Sequence, residues 1–139
     1  MTLDIDRLIK ALESWAKRDF DEYYLERSTG EVLSADMLAK EDLSKLKLVE
    51  EDNVRFILIK ALEPQDLGEL MESFLNTLEK SKVKECLEEA LLNAEYTTFK
   101  NVVSEYPDIK EKWIVFHKSY MQDFAKFWLK KNGISISEK

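Results

Sequence analysis

The sequence predicts an α+β fold, in which an N-terminal helix and a small antiparallel sheet of about three strands precede a bundle of three or four helices. Two observations support this prediction. Residues 22–59 contain short apolar runs bounded by polar turns, which are typical of strands. From residue 66 onward, apolar side chains instead recur every three or four positions, which is the helical period. The last of the predicted helices is long and rich in aromatic residues.

The length and composition indicate one folded domain. We expect its 139 residues to divide into a helix-and-sheet part over 1–62, a helical part over 63–134 and a tail at 135–139. No apolar run reaches the roughly 18 residues that span a bilayer, so we expect no membrane partner. The acidic N-terminus does not fit a signal peptide, and the single cysteine fits a reducing compartment. The expected location is therefore the cytoplasm.

The N-terminal part begins with an amphipathic helix and a hairpin. The helix spans residues 4–16, and one of its faces carries Ile5, Leu8, Ile9, Leu12 and Trp15. Residues 22–35 form the hairpin, whose turn contains Thr29 and Gly30. The glycine can take the positive φ that such a turn requires. We therefore assign Thr29 and Gly30 the structural role of fixing the hairpin register.

The stretch after the hairpin is less regular. Residues 36–47 fit either a short helix or a loop with one helical turn, and their many polar side chains favour the loop. Leu48 and Val49 are expected to extend the sheet, and residues 50–53 to form a polar turn. Residues 55–59 give the strongest strand signal in the chain. Their nearly continuous apolar run predicts a central strand that is buried on both faces.

Up to four helices are predicted after residue 63. They span 66–79, then from the N-cap Ser81 to about 93, then 95–105 and 108–132. Pro107 separates the last two helices, and Gly133 ends the last one. Cys86 falls on the apolar face of the second helix, where a buried and unreactive thiol is expected.

The last helix carries aromatic residues at helical spacing, most of them on one face. They are Trp113, Phe116, Tyr120, Phe124, Phe127 and Trp128. We expect the first four to be buried in the core, with Trp113 and Phe116 as structural residues. A ligand pocket or a surface that stacks on bases is the alternative for such a stripe. Phe127 or Trp128, on its flank, could instead close a dimer or partner interface.

The residue types that several kinds of active site need are scarce. His117 is the one histidine and Cys86 the one cysteine, so the usual zinc ligand sets are excluded. The sequence contains neither a glycine-rich phosphate loop nor a calcium-binding loop. We therefore expect no metal and no cofactor, and we assign no catalytic residue. A pair of carboxylates acting as acid and base stays open, for example Glu31 with the loop at 50–52.

The net charge of −7 is unevenly distributed. Residues 1–107 carry 14 Lys and Arg against 24 Asp and Glu, and residues 108–139 carry 7 Lys against 4 Asp and Glu. The acidic part disfavours binding to nucleic acid, because that affinity depends on cations that neutralise phosphates. The lysines of the last helix could contact RNA or an acidic partner, although a solvated helix face explains them as well.

These observations favour a non-enzymatic protein-interaction or regulatory module whose partner is a protein, with a homodimer as one form of this. The candidate binding residues are Tyr24, Glu31, Lys126, Trp128 and Lys130. Tyr24 and Glu31 would frame a ligand site beside the hairpin turn. A hydrolase-type enzyme with a carboxylate pair is the first alternative. An RNA-associated protein is the second, and it would use Lys112, Lys118, Lys126, Lys130 and Lys131.

Several segments resemble the motifs of one bacterial family. Residues 23–32 resemble its YYLD-x-x-TGEV signature, and residues 70–74 resemble its LMEDF helix. Residues 99–103 resemble its FKDVL segment, and Trp113–Phe116 with Trp128–Leu129 resemble its closing W-x-x-F and WL. The matches occur in the same order over nearly the whole chain, which makes them more specific than any single motif.

On these motifs the chain resembles the uncharacterised bacterial protein family one-five-eight of the UPF series. The resemblance implies a shared fold and says almost nothing about activity, because the family has no assigned one. Two departures from the family pattern occur. Glu26 stands where the signature has Asp, and residues 93–99 lack the glycine and arginine of the family's GKGAFRRF pattern. If relatives use that segment to bind phosphate or nucleic acid, we expect this chain to have lost the contact.

Overall fold

The computed structural model describes residues 3–92 and 96–134, and in these ranges the chain has the predicted α+β fold. The elements form two compact units. The first comprises Met1–Ala61 and Phe124–Lys139, and the second comprises Leu62–Asp123. The first contains the sheet and the second is helical. The long last helix contributes residues to both. The division into parts at 1–62 and 63–134 within one domain stays a prediction.

The sheet of the first unit has three antiparallel strands in the order β2-β1-β3. They are β1 (Tyr23–Glu26), β2 (Val32–Ser34) and β3 (Phe56–Ile59), and the first two form the predicted hairpin. Our prediction that β3 is central and buried on both faces is wrong. It is an edge strand, and the side chain of Leu58 is 49% exposed. An apolar run predicts a strand but does not reveal its neighbours.

The first helix, α1 (Ile5–Leu12), is shorter than predicted. The Asp4 carboxylate caps it by accepting hydrogen bonds from the next turn's main-chain N–H groups. Leu8 and Leu12 are buried, as the amphipathic pattern requires. The helix ends before Trp15, which lies in a short 3-10 turn and is 45% exposed, so its predicted place on the buried face is wrong.

Two helices follow the hairpin, so the loop that we favoured for residues 36–47 is wrong. The helices are α2 (Ala35–Glu41) and α3 (Leu43–Glu51). Ser34 caps α2 and Asp42 caps α3, each through its side-chain oxygen. These caps allow a polar segment to form helices that apolar spacing alone did not predict.

The helix α3 also replaces the predicted strand extension at Leu48 and Val49. Val49 is buried on the helix, where it packs in a cluster with Leu33, Leu38 and Phe56. The acids at positions 50 and 51 are its last residues, and the turn begins only at Asp52. The predicted polar turn at residues 50–53 is therefore wrong for its first two residues, which are helical.

The second unit contains α4 (Pro64–Leu75), α5 (Lys82–Leu92), α6 (Tyr96–Ser104) and the first part of α7 (Pro107–Lys131). Phe74 is fully buried among aromatic rings, with Trp113 and Phe99 edge-on to it. Ser81 caps α5, as predicted, by accepting a hydrogen bond from a main-chain N–H. Cys86 on α5 is exposed, so the predicted buried thiol is wrong.

The buried side of α7 departs from its aromatic stripe. The buried residues are Trp113, Met121, Ala125 and Leu129. These residues are four or eight positions apart, and four residues of an α-helix turn about 40° past a full turn, so the buried side rotates along the helix. The aromatic residues alternate steps of three and four, which keeps them on one side. Phe116, Tyr120 and Phe124 are therefore only partly buried, and Phe127 is exposed. Sequence spacing located the helix but not the rotation of its contact surface.

The end of α7 is fixed by a glycine turn and by the hairpin. Gly133 has a φ of 70°, and the Ile134 N–H donates to the Leu129 carbonyl at 2.9 Å, as in a Schellman motif. Arg27, beside β1, donates a hydrogen bond to the Asn132 carbonyl at 3.0 Å. The helix end is therefore held by the same hairpin that carries the family-like signature.

Candidate functional site

A groove runs along the outer edge of β2, with α1 on one wall and α2 on the other. It has two lobes of about 300 and 340 Å³ that share Arg7, Val32, Ser34 and Met37. The first lobe is also lined by Glu31, Leu33, Leu38, Glu41, Asp42 and Lys45. The second lobe is also lined by Lys10, Ala11, Asp21, Tyr23, Asp36 and Lys40. Each volume lies at the low end of the range for ligand pockets, roughly 300–1,000 Å³.

The β2 edge that faces this groove has unpaired main-chain groups. The Glu26 N–H donates to the Glu31 carbonyl, and the Ala35 N–H donates to the Glu22 carbonyl, both at 2.8 Å. Hydrogen-bonded positions alternate along an antiparallel pair, so the main-chain groups of Val32 and Ser34 point away from β1. The Ser34 carbonyl accepts the first hydrogen bond of α2, as the carbonyl of an N-cap residue does. The N–H and carbonyl of Val32 and the N–H of Ser34 form no other main-chain bond within residues 3–92 and 96–134.

Hydrogen bonds around Ser34 hold this edge in place against α2. Its hydroxyl donates to one Asp21 carboxylate oxygen and accepts from the Met37 N–H at 3.1 Å. The other Asp21 oxygen accepts from the Asp36 N–H at 3.0 Å. Both oxygens of Asp21 are therefore occupied, and one end of the groove is structurally fixed.

A second hydrogen bond, between Tyr23 and Asp19, occupies a further acid near this end. The Tyr23 hydroxyl donates to the Asp19 carboxylate at 2.5 Å. This bond, with burial and nearby acids, raises the pKa of Tyr23 to about 12. The same bond is the main cause that lowers the pKa of Asp19. Tyr23 therefore keeps its proton, and Asp19 keeps its charge, at neutral pH.

Three cations line the second lobe, and one of them, Lys10, is close enough to Asp19 to help lower the pKa of that carboxyl. Arg7 and Lys10 lie on α1, and Lys40 lies on α2. None of the three forms an ion pair within 4 Å in the part of the chain that the structure describes. The opposite end carries more negative charge, because Glu31, Glu41 and Asp42 line it with Lys45. By formal charge, the second lobe carries three cations and two acids and is called the Ser34 end below, whereas the first lobe carries two cations and three acids and is called the Glu31 end.

The structure does not bring the predicted binding residues together. Glu31 lines the groove, whereas Tyr24 packs against the cluster under α2 and α3, where burial raises its pKa. Lys126, Trp128 and Lys130 belong to the last turns of α7 and line neither lobe. Arg7, Lys10, Met37 and Lys40 were missed. Their spacing on each helix is visible in the sequence, but the fact that both helices flank β2 is not.

The residues given structural roles lie in the hairpin turn and in the helical unit. The Thr29 hydroxyl donates to Glu26 and accepts from the Glu31 N–H, each at 3.2 Å. Gly30 has a φ of 77° and donates its N–H to the Glu26 carbonyl at 2.8 Å. Trp113 and Phe116 pack against the Phe74 ring, at centroid distances of 5.1 and 5.4 Å.

The carboxylate pair required by the enzyme alternative is not brought together at the groove. Glu31 lines one lobe, but Glu50 lies in the last turn of α3, near enough to Tyr24 to help raise the pKa of that side chain. Hydrogen bonds lower the pKa of Asp19 and that of Glu26, which suits carboxylates that stay ionised and does not suit a general acid at either position. The described residues also contain no group of three His, Cys, Asp or Glu placed to hold a metal ion.

The fold and groove together define a small, mostly helical α+β protein that has an open-edged antiparallel sheet. None of the helices in the described ranges is both long and apolar enough to cross a bilayer. The chain belongs to the Uncharacterised protein family (UPF0158), which it matches over residues 1–139, and this confirms the resemblance seen in its motifs.

One relative is a UPF0158 protein of Pseudomonas aeruginosa. It is 32% identical to this chain over 136 residues, which cover 96% of this chain and 85% of the relative. No solved structure matches the chain. Residues 93–95, in the segment that departs from the family pattern, lie outside the described residues, so the predicted loss of a contact there stays a prediction.

Proposed function

We propose that the protein is a non-enzymatic protein-interaction module that binds its partner through the groove at the β2 edge. The observation that supports this proposal is the open main-chain edge of Val32 and Ser34 inside a groove between two helices. An exposed edge is a ready template for another chain, and natural proteins usually cover it. Here the space beside the edge is left open by the flanking helices.

The side chains around the edge have the mixed character of a protein interface. Met37 is 55% exposed although it lines both lobes, and methionine adapts to varied apolar surfaces. Charged residues of both α1 and α2 surround it. Interfaces typically combine a small apolar centre with a polar rim. The groove therefore suits a protein segment better than a fully apolar ligand.

The charge distribution favours protein over nucleic acid. The groove carries about as many acids as cations, and the chain has a net charge of −7. Phosphate binding would require a surplus of cations. The proposal includes the cytoplasmic location that the single cysteine predicts. The RNA-associated alternative, which uses the lysines of α7, becomes an outcome of the test.

A capture experiment tests the proposal. The immobilised wild-type chain, Met37→Asp and Val115→Asp would be exposed to extract of the cells that make the protein, with and without nuclease. Val115 is the control, because it is 71% exposed on α7 and does not line the groove. We expect a stoichiometric protein on the wild type and on Val115→Asp after nuclease, and its loss from Met37→Asp. Recovery of nucleic acid alone, or equal capture by all three chains, would contradict the proposal.

A further inference from the structure

From the edge and charges of this groove, we propose that it binds an extended segment of the partner as an added strand on β2, with an acidic side chain at the Ser34 end. This inference rests on the proposed function and names the kind of segment that the partner supplies. It combines two independent observations, which are the free main-chain groups of β2 and the excess of cations over acids in the lobe at one end of the strand.

The main chain of β2 fixes how a segment would dock. Val32 directs its N–H and its carbonyl toward the groove and Ser34 directs its N–H, so an added strand can make up to three hydrogen bonds. Such a strand would lie about 4.8 Å from β2. The two helix walls would then contact side chains above and below it. Main-chain bonds of this kind give affinity without requiring a particular sequence.

The charges at the Ser34 end select an acid. Arg7, Lys10 and Lys40 line this end without ion pairs. Asp21 and Asp19 accept hydrogen bonds from neutral donors, which hold these side chains in place and leave their formal negative charges. Asp36 is the second acid that lines this lobe, beside Asp21, and it lies in the first turn of α2, where the helix dipole favours its charge. A carboxylate arriving here meets three cations and two acids, a formal charge of +1, whereas the two cations and three acids of the other lobe give −1.

The Glu31 end of the groove does not share this preference for an acidic side chain of the partner segment. Glu31, Glu41 and Asp42 outnumber Arg7 and Lys45 there. A second acidic residue of the partner segment would be repelled at this end, whereas a neutral or basic residue would be accepted. Charge therefore sets the placement of the segment, and hydrogen bonding to β2 provides the shared, sequence-independent part of the affinity.

Peptide titrations followed by NMR test the inference. The probes are three blocked hexapeptides, Thr-Val-Thr-Val-Glu-Glu and its Lys-Lys and Gln-Gln counterparts, whose β-branched residues favour extended conformations. We expect the Glu peptide to shift the Val32 and Ser34 amide signals saturably, with a Kd at least tenfold below that of the Lys peptide. The difference should shrink at high salt. A version of the Glu peptide with N-methylated valines should lose its binding.

Charge reversal provides the matched control. Lys10→Glu combined with Lys40→Glu should reverse the preference in favour of the Lys peptide. Lys80→Glu combined with Lys82→Glu changes the net charge equally at exposed positions outside the groove and should leave the preference intact. Equal binding of all three peptides, or shifts that spare Val32 and Ser34, would mean that the cations only protect the edge.

The two proposals fail in different ways. If the peptides leave Val32 and Ser34 unmoved while the Met37→Asp variant still loses its partner, the inference is wrong and the proposed function stands. If partner capture does not depend on Met37, the groove is not the binding surface, and both are wrong.

Discussion

Glu26 and Arg55 form an ion pair of 2.8 Å that joins the end of β1 to the residue before β3. The Glu26 side chain is buried, and it also accepts hydrogen bonds from the hydroxyls of Ser28 and Thr29. The bond from Arg55 is the main cause that holds the pKa of Glu26 below its usual range. The acid of the family-like hairpin signature therefore organises the turn and the sheet.

Removing Arg55 should weaken the fold. In Arg55→Met, the buried Glu26 carboxylate keeps its hydroxyl donors but loses the guanidinium. Because Arg55 is half-exposed and therefore partly screened by water, we expect a loss of about 1–2 kcal/mol in the free energy of unfolding. Urea melts at neutral pH measure this. Lys82→Met, at an exposed position at the start of α5, should change stability by less than about 0.5 kcal/mol. An equal loss in both variants would contradict the role of the pair.

The same pair should make stability depend on acid pH. A lowered pKa in the folded state stabilises the protein above the usual Glu26 value of 4.5, and this contribution is lost as the pH falls through the lowered pKa. We therefore expect Glu26→Gln to destabilise the protein at pH 7 and to lose less stability than the wild type between pH 4.5 and pH 3. Parallel melts of the two proteins would disagree with this assignment if their stabilities fell equally over that range.

Two glycines should respond to alanine in opposite directions. Gly133 has a φ of 70°, so Gly133→Ala should cost about 1–2 kcal/mol in a left-handed conformation. Gly68 lies within α4, and a Cβ there would meet no atom within 4 Å. Gly68→Ala should therefore stabilise the protein by about 0.5–1 kcal/mol. Thermal and urea melts of the two variants check both signs, and a stabilising Gly133→Ala would show that the α7 end is not built as described.

The aromatic core should lose stability in order of burial. Phe74 is fully buried, so Phe74→Ala should cost about 3–5 kcal/mol. Phe116 is only partly buried, so its replacement by alanine should cost less than that range, although its sequence position alone predicts the full loss. Phe127 is 65% exposed, so Phe127→Ala should lower the free energy of unfolding by less than about 0.5 kcal/mol. The packing would be contradicted if denaturant melts showed a larger loss of stability for alanine at Phe116 or Phe127 than at Phe74.

The sequence predicts those parts of the fold that depend on local signals. The turn at Gly30 defines the hairpin, and apolar spacing together with Pro107 defines the later helices. Capping by Ser34 and Asp42 is also a local signal, but the segment between them is so polar that its apolar spacing did not indicate the helices. The edge position of β3 depends on strand order, and the buried side of α7 depends on which elements pack against it. Neither can be read from spacing along one element.

The candidate site was less predictable for the same reason. Glu31 was selected because it adjoins a recognisable turn, and it does line the groove. Arg7 and Lys40 are ordinary helix-surface cations in the sequence, 33 positions apart. They become neighbours of one strand only because α1 and α2 lie on either side of β2. Tyr24 was selected on the same motif, but alternation along β1 directs it into the core cluster instead.

Site-specific photocrosslinking tests the central claim, that the β2 groove is the partner-binding surface, most directly. A benzophenone amino acid would replace Met37 in one chain and Val115 in another, and both would be irradiated in nuclease-treated extract of the cells that make the protein. We predict one discrete protein adduct from position 37 that is absent from position 115 and is competed by excess unlabelled wild-type chain. No adduct at position 37, or the same adduct from both positions, would contradict the claim.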